Sequence, residues 1–147
     1  MIAFGEGSLA VAVSAADREA AIRASGDLLV ASGRVTADYI DQMIAAVEEF
    51  GPYIVIAPGI ALAHARPSEA VLETGLSLAV LSEPIEFGSH NDPVRLVFGL
   101  AALDHEGHLE VLAALAERLT DQQFVNSLLN ACTNDQLSAL LASERAE

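Results

Sequence analysis

Gly75-Leu76-Ser77-Leu78-Ala79-Val80-Leu81 and Val94-Arg95-Leu96-Val97-Phe98-Gly99-Leu100 are two nearly continuous apolar runs. A strand with one wet face alternates apolar and polar residues, whereas a strand covered on both faces loses that alternation. The two runs therefore predict the middle of a sheet with helices above and below it. Ser82 to Pro93 between them is rich in turn formers, which allows a hairpin or a short crossover.

Working outward, Ser8-Leu9-Ala10-Val11-Ala12-Val13 reads as a first strand, weak because of its alanines. Ser14 with Asp17 three residues on resembles a capping box, and the helix that follows runs to Ser32 and stops at Gly33. Thr36 starts a second helix whose apolar positions Ile40, Met43, Ile44 and Val47 keep helical spacing until Gly51-Pro52 ends it. Tyr53-Ile54-Val55-Ile56 is a short β-rich run closed by the turn dipeptide Pro58-Gly59. After Leu103 the period becomes helical. Leu109, Leu112, Ala116 and Leu119 mark a core-packing stripe, and shorter helices follow around Phe124 to Ala131 and Gln136 to Leu141, the last opened by Thr133 and Gln136 in capping-box spacing. With no linker, repeat or low-complexity run, residues 1–147 read as one domain of the α/β class, a three-layer sandwich with a central mixed β-sheet flanked by α-helices.

Composition narrows the function classes. The chain carries 21 acidic side chains against seven basic ones, a formal net charge of −14, which repels polyphosphate backbones and argues against nucleic-acid binding in the absence of a basic patch. Such acidity suits a basic protein partner, or simply keeps an apolar domain soluble. Gly51 to Ala65 is the longest stretch without a charge near His64, yet it is broken by Pro52, Pro58 and Gly59 and falls short of the ~18 apolar residues of a membrane span. The segment beginning Met1-Ile2-Ala3-Phe4-Gly5-Glu6 has no basic region of the kind that opens a signal peptide, so a cytoplasmic location is expected. The single Cys132, in Leu128-Leu129-Asn130-Ala131-Cys132, reads as a small, inert core residue.

The chemistry concentrates in histidines. His64 lies among alanines in Gly59-Ile60-Ala61-Leu62-Ala63-His64-Ala65-Arg66-Pro67, in or just after the connection that follows a strand, with no carboxylate until Glu69. An imidazole with so little local company points into a cleft or reacts. In Asp104-His105-Glu106-Gly107-His108-Leu109, His108 falls in the first turn of the Leu109 helix, with Asp104 or His105 near the cap. Helix N-termini favour anions such as phosphate, and Gly107 permits close approach of the backbone. Neutral imidazole, with a reference pKa of ~6.5, attacks phosphorus without a strong base. Phosphoryl transfer then needs in-line positioning and charge stabilisation, which His108, backbone N–H groups and Arg66 can supply. No GxxxxGK[ST] loop for a nucleotide occurs, and neither a metal nor another cofactor is required.

Gly51 to Pro67, the later Phe87-Gly88 and Asn91-Asp92-Pro93-Val94, and His108-Leu109-Glu110-Val111-Leu112 resemble the EIIA domains of the mannitol/fructose type in the bacterial phosphoenolpyruvate:sugar phosphotransferase system. The resemblance extends over nearly the whole chain. Gly-Pro-Tyr-Ile-Val-Ile and Ala-Arg-Pro make it look nearest to the ascorbate-type EIIA proteins. It implies that His64 accepts a phosphoryl group from phospho-HPr and donates it to a cysteine of EIIB, which phosphorylates the sugar during transport through the membrane component EIIC. It also implies that His108 hydrogen-bonds the phosphoryl group. Ala63 stands where the family usually has proline, which implies a less rigid loop and slower or differently tuned transfer.

Other readings compete. A lone histidine is ordinarily a surface or satisfied core residue, and only the surrounding motif favours the nucleophile reading of His64. His105 and His90 read as exposed loop histidines, His105 near enough to line the site. Arg66 either contacts phosphate or a partner or pairs with Glu69. His105 and His108 at i,i+3 with His64 would offer three metal ligands for a hydrolase, although Asp104 is the only near carboxylate to orient them. A regulatory EIIA-like phosphoprotein without a transport role is the third possibility.

Overall fold

The computed structural model describes residues 4–142. The strands are β1 (Phe4–Val13), β2 (Val55–Ala57), β3 (Ile60–His64), β4 (Gly75–Ile85) and β5 (Val94–Ala101); the helices are α1 (Arg18–Ala31), α2 (Asp38–Phe50), α3 (His105–Leu119), α4 (Gln122–Asn130) and α5 (Asn134–Ala142). The five strands form one mixed sheet in the order β1-β4-β5-β3-β2. β1 runs parallel to β4 and β3 parallel to β5, while the β4–β5 and β2–β3 pairs are antiparallel. The two apolar runs are thus neighbours joined by a hairpin, not a crossover.

Side-chain alternation along the strands sorts the core into two layers. On one face Ala61, Ala63, Val97 and Ala101 pack with Ile22 and Leu29 of α1 and Tyr39 and Met43 of α2. On the other, Ile60, Leu62, Leu96, Phe98 and Leu100 pack with Leu115 of α3, Val125 and Leu128 of α4, and Leu137 and Leu141 of α5. The small residues on the first face let α1 lie close to the sheet. A Cβ on Gly99 would stand 2.6 Å from Ser77 Oγ, 3.1 Å from Leu29 Cδ1 and 3.2 Å from the Ser25 carbonyl oxygen. The Ser77 hydroxyl donates to that same carbonyl at 2.8 Å, so the sheet and α1 are tied together where they are closest.

Several local expectations change. β1 begins at Phe4 rather than Ser8. Asp17, not Ser14, caps α1: its carboxylate accepts the Ala20 N–H, because carboxylate reaches the first-turn donors from the residue immediately before the helix. α2 starts at Asp38, two residues after Thr36. Residues 60–64, expected in the connection that follows a strand, form β3, which pairs with β2 through the Pro58-Gly59 turn, where Gly59 takes φ +78°. Burial between two helical layers outweighs the weak strand propensity of its alanines.

The α3 stripe holds in part, since Leu112 and Leu119 pack half-buried against the core around Leu115. Leu115 and Arg118 are buried, whereas Leu109 is 51% exposed and Ala116 is exposed. The Arg118 guanidinium lies 4.1 Å over the Phe124 ring and donates to the Leu140 carbonyl, joining α3 to the two helices after it. Cys132 is exposed, not buried, since it sits in the α4–α5 connection, where its N–H donates to Gln136 Oε1.

Candidate functional site

His64 is the last residue of β3 rather than part of a loop. By alternation it shares a face with Ile60 and Leu62, the face covered by α3, and so it emerges from the sheet beside the start of that helix. Ala63 points to the opposite, α1-covered face and pairs in register with Gly99. The expectation of a less rigid loop at Ala63 is therefore replaced by a strand residue held in the sheet.

The His64 ring is fixed from its own backbone. Nδ1 lies 2.8 Å from the Leu62 carbonyl oxygen, and because a carbonyl only accepts, Nδ1 carries the hydrogen and Nε2 keeps its lone pair. Burial lowers the His64 pKa from its ordinary 6.5, partly opposed by the bond to Leu62, so the ring is neutral at neutral pH. Tyr53 meets the ring edge-on at 5.3 Å between centroids, and its hydroxyl donates to the His64 carbonyl at 3.4 Å.

The structure brings His108 to His64. Asp104 is the N-cap of α3, its carboxylate accepting the Gly107 N–H at 2.7 Å, and the helix so started places the His108 ring 5.2 Å from that of His64. Burial, followed by the neighbouring His64 and His105 rings, lowers the His108 pKa. Gly107 sits in the same first turn with its N–H engaged by the cap. His105, expected in a loop, is instead the first residue of α3, and its ring lies parallel to His108 with an interplanar angle of 6° and a centroid separation of 6.4 Å.

These three histidines open on a cleft of about 990 Å³ whose other walls include Phe50, Tyr53, Arg66 and Glu49. Arg66 is exposed at its rim, and the ion pairs of the described residues do not join it to Glu69. His90 is exposed in the β4–β5 connection and does not line the cleft. Among the described residues no group of three or more His, Cys, Asp or Glu side chains is placed to hold a metal ion; His105 stacks on His108 instead of converging with it on a common point.

Three aromatic residues, none expected from the sequence to act at the site, shape its surroundings. The Tyr39 hydroxyl, on a residue 1% exposed, accepts the Ala65 N–H at 3.0 Å and donates to the Leu100 carbonyl at 2.8 Å. It clasps the ends of β3 and β5 beside the His64–Leu100 pair. A tyrosine on the apolar face of a helix with Met43 four residues on was the available signal, because a buried phenol needs a polar partner. Tyr53 and Phe50, in edge-to-face contact at 6.4 Å, are 44% and 63% exposed beside the nucleophile candidate.

The fold recurs in known proteins. Residues 4–144 match the family described as "Phosphoenolpyruvate-dependent sugar phosphotransferase system, EIIA 2". The chain is 34% identical over 139 residues to the mannitol-specific cryptic phosphotransferase enzyme IIA component of Escherichia coli K12, covering 95% of each chain. It is 41% identical over 117 residues to the ascorbate-specific PTS system EIIA component of the same organism, covering 79% of this chain and 76% of that one. The solution structure of the E. coli cryptic mannitol-specific enzyme IIA superposes with a TM-score of 0.85 at 34% identity over 95% of both chains. The mannitol enzyme IIA from E. coli, solved in complex with phosphorylated mannitol enzyme IIB, matches with a TM-score of 0.84 at 28% identity over 98% of this chain and 100% of that one. With the family match spanning almost all of it, the chain belongs to the EIIA type 2 family of the phosphoenolpyruvate-dependent sugar phosphotransferase system.

Proposed function

We propose that this chain is a cytoplasmic phosphocarrier domain that takes a phosphoryl group from phospho-HPr onto His64 and gives it to a cysteine of an EIIB partner, which serves sugar uptake through EIIC. The observation that carries the reading is the fixed tautomer of His64: Nδ1–H is held by the Leu62 carbonyl, and Nε2 is left as the attacking atom beside His108.

In the forward step the Nε2 lone pair attacks phosphorus in line with the donor's N–P bond. That bond breaks, its electron pair returns to the donor imidazole, and the donor ring takes up a proton from water. His108 donates an N–H to the developing charge on the phosphoryl oxygens, and the Arg66 guanidinium adds a cationic contact. Transfer to EIIB reverses the roles: a cysteine thiolate attacks phosphorus and Nε2 leaves with its lone pair. The solved complex of the mannitol enzyme IIA with phosphorylated enzyme IIB supports a partner of this kind. The exposed Phe50 and Tyr53 beside the cleft suit a protein partner better than a free sugar.

For the sugar, the 41% identity to an ascorbate-specific component favours an ascorbate-type system over the mannitol type. The test is incubation with phosphoenolpyruvate, enzyme I and HPr, followed by mass-spectrometric location of acid-labile phosphate in wild type, His64→Ala and His108→Ala. Label on His64 that requires HPr supports the proposal; absence of label beside a fully phosphorylated control EIIA would overturn it. Supplying ascorbate-type and mannitol-type EIIB proteins in parallel then discriminates the two systems by which one discharges the label.

A further inference from the structure

The phosphoryl step uses His64 and His108 and leaves the third imidazole of the cleft without a task. His105 occupies the first position of α3 with its ring parallel to His108, and both rings line the cleft into which His64 opens. Exposed at a helix start, His105 is not needed to fill the core, which lies further along α3 at Leu115.

We propose that His105 is a positioning residue of the phosphoryl site: stacked on His108, it forms with it a proton-accepting pair that takes up one proton when His64 is phosphorylated and releases it when the group leaves. The inference rests on the phosphocarrier reading above.

The electrostatics run in one direction. Before transfer, three imidazoles crowd together, and a charge on any one disfavours a charge on the next. Burial together with the His64 and His105 rings lowers the His108 pKa, so that ring starts neutral. A phosphoryl group on Nε2 brings about two negative charges to the mouth of the same cleft, which favours protonation of the nearest imidazoles. The two parallel rings then take up a single proton from water, on one ring or the other, since a second would restore the repulsion between them.

Charged and titratable groups from every side act on the pair. Glu49 of α2 and Arg66 after β3 line the same cleft with opposite signs, together with the Tyr53 hydroxyl and His64. On α3 itself, Asp104 and Glu106 flank His105, the Asp104 carboxylate already accepting the Gly107 N–H. The wall thus offers a carboxylate as well as a guanidinium, and the new phosphoryl charge decides the balance.

Histidine titrations followed by NMR in the unphosphorylated protein and in protein held phosphorylated by phosphoenolpyruvate, enzyme I and HPr test this. His105→Phe keeps a ring to stack on His108 without a titrating nitrogen, and His105→Gln removes both. In wild type, phosphorylation raises the midpoints of His105 and His108 together, and their titrations are interdependent. Before phosphorylation, both variants raise the His108 midpoint; after it, the yield of phospho-His64 in either falls off with pH differently from wild type. His64 labelling with unchanged His108 midpoints and unchanged pH dependence in both variants would overturn the proton-pair inference while leaving the carrier reading intact. Failure of wild-type His64 to label would remove both. Recovery of the wild-type pH dependence by His105→Phe alone would reduce His105 to a stacking surface and overturn the proton uptake.

Discussion

Nδ1 of His64 lies 2.8 Å from the carbonyl oxygen of Leu62, two residues earlier on the same strand, so the backbone of β3 itself selects the tautomer of the ring. No second side chain is needed to orient the ring. The phosphoryl group is therefore expected on Nε2. Phosphorus-coupled NMR of the phosphoprotein distinguishes the two ring positions, and a phosphoramidate bonded through Nδ1 would mean that the bond to Leu62 is broken in the reacting state.

Burial lowers the His64 pKa, and burial with its neighbouring histidines lowers that of His108. Two pH effects follow. The acid limb of the phosphorylation rate, set by the fraction of neutral His64, should have its midpoint below the ordinary 6.5. For stability, a histidine whose folded pKa is depressed binds fewer protons when folded than when unfolded, so stability rises with pH between the two values. The contribution is complete above about pH 6.5, the unfolded value, and is lost as pH falls toward the lower folded pKa. Urea midpoints measured from pH 5 to pH 7 should rise across that window, and His64→Gln should flatten the rise.

Tyr39 links the strand carrying His64 to its neighbour. Burial pushes its pKa up to about 12, so it stays a phenol and both donates and accepts. Tyr39→Phe leaves the Ala65 N–H and the Leu100 carbonyl without this partner at a buried site, a loss of about 1–3 kcal/mol. With the end of β3 loosened, phosphorylation of His64 should slow while binding of HPr is unchanged. Denaturant unfolding gives the first number and rapid-quench labelling the second; a destabilised variant with the wild-type rate would confine Tyr39 to a role in folding.

Much of the sandwich was legible because β4 and β5 are apolar on both faces, and doubly covered strands announce themselves by losing alternation. β3 was not, since Ala61 and Ala63 are small for contact with the α1 and α2 layer and carry little strand signal. His64 stood out for its odd company, and its place at a strand end explains why alanines surround it. The stacking of His105 on His108 was beyond a sequence reading that placed His105 in a loop, because it depends on α3 beginning one residue after Asp104. Cys132 misled through its apolar neighbours, which cover the core from α4 while the cysteine itself lies past the helix end.

The closest approach of α1 to the sheet supplies a test of the scaffold under the site. In Gly99→Ala the new methyl would meet Ser77 Oγ at 2.6 Å and the Ser25 carbonyl oxygen at 3.2 Å, so the Ser77–Ser25 bond must break or α1 must move outward. Overpacking of this kind costs about 1–3 kcal/mol. Gly99 pairs with Ala63, immediately before His64, and displacement here should also slow labelling of His64. Ser77→Ala removes the hydroxyl in the way but not the nearby backbone carbonyl. The double variant should therefore be more stable than the sum of the two single losses predicts, as expected for side chains in contact. Strictly additive losses in denaturant unfolding would show that Ser77 is not what the added methyl strikes.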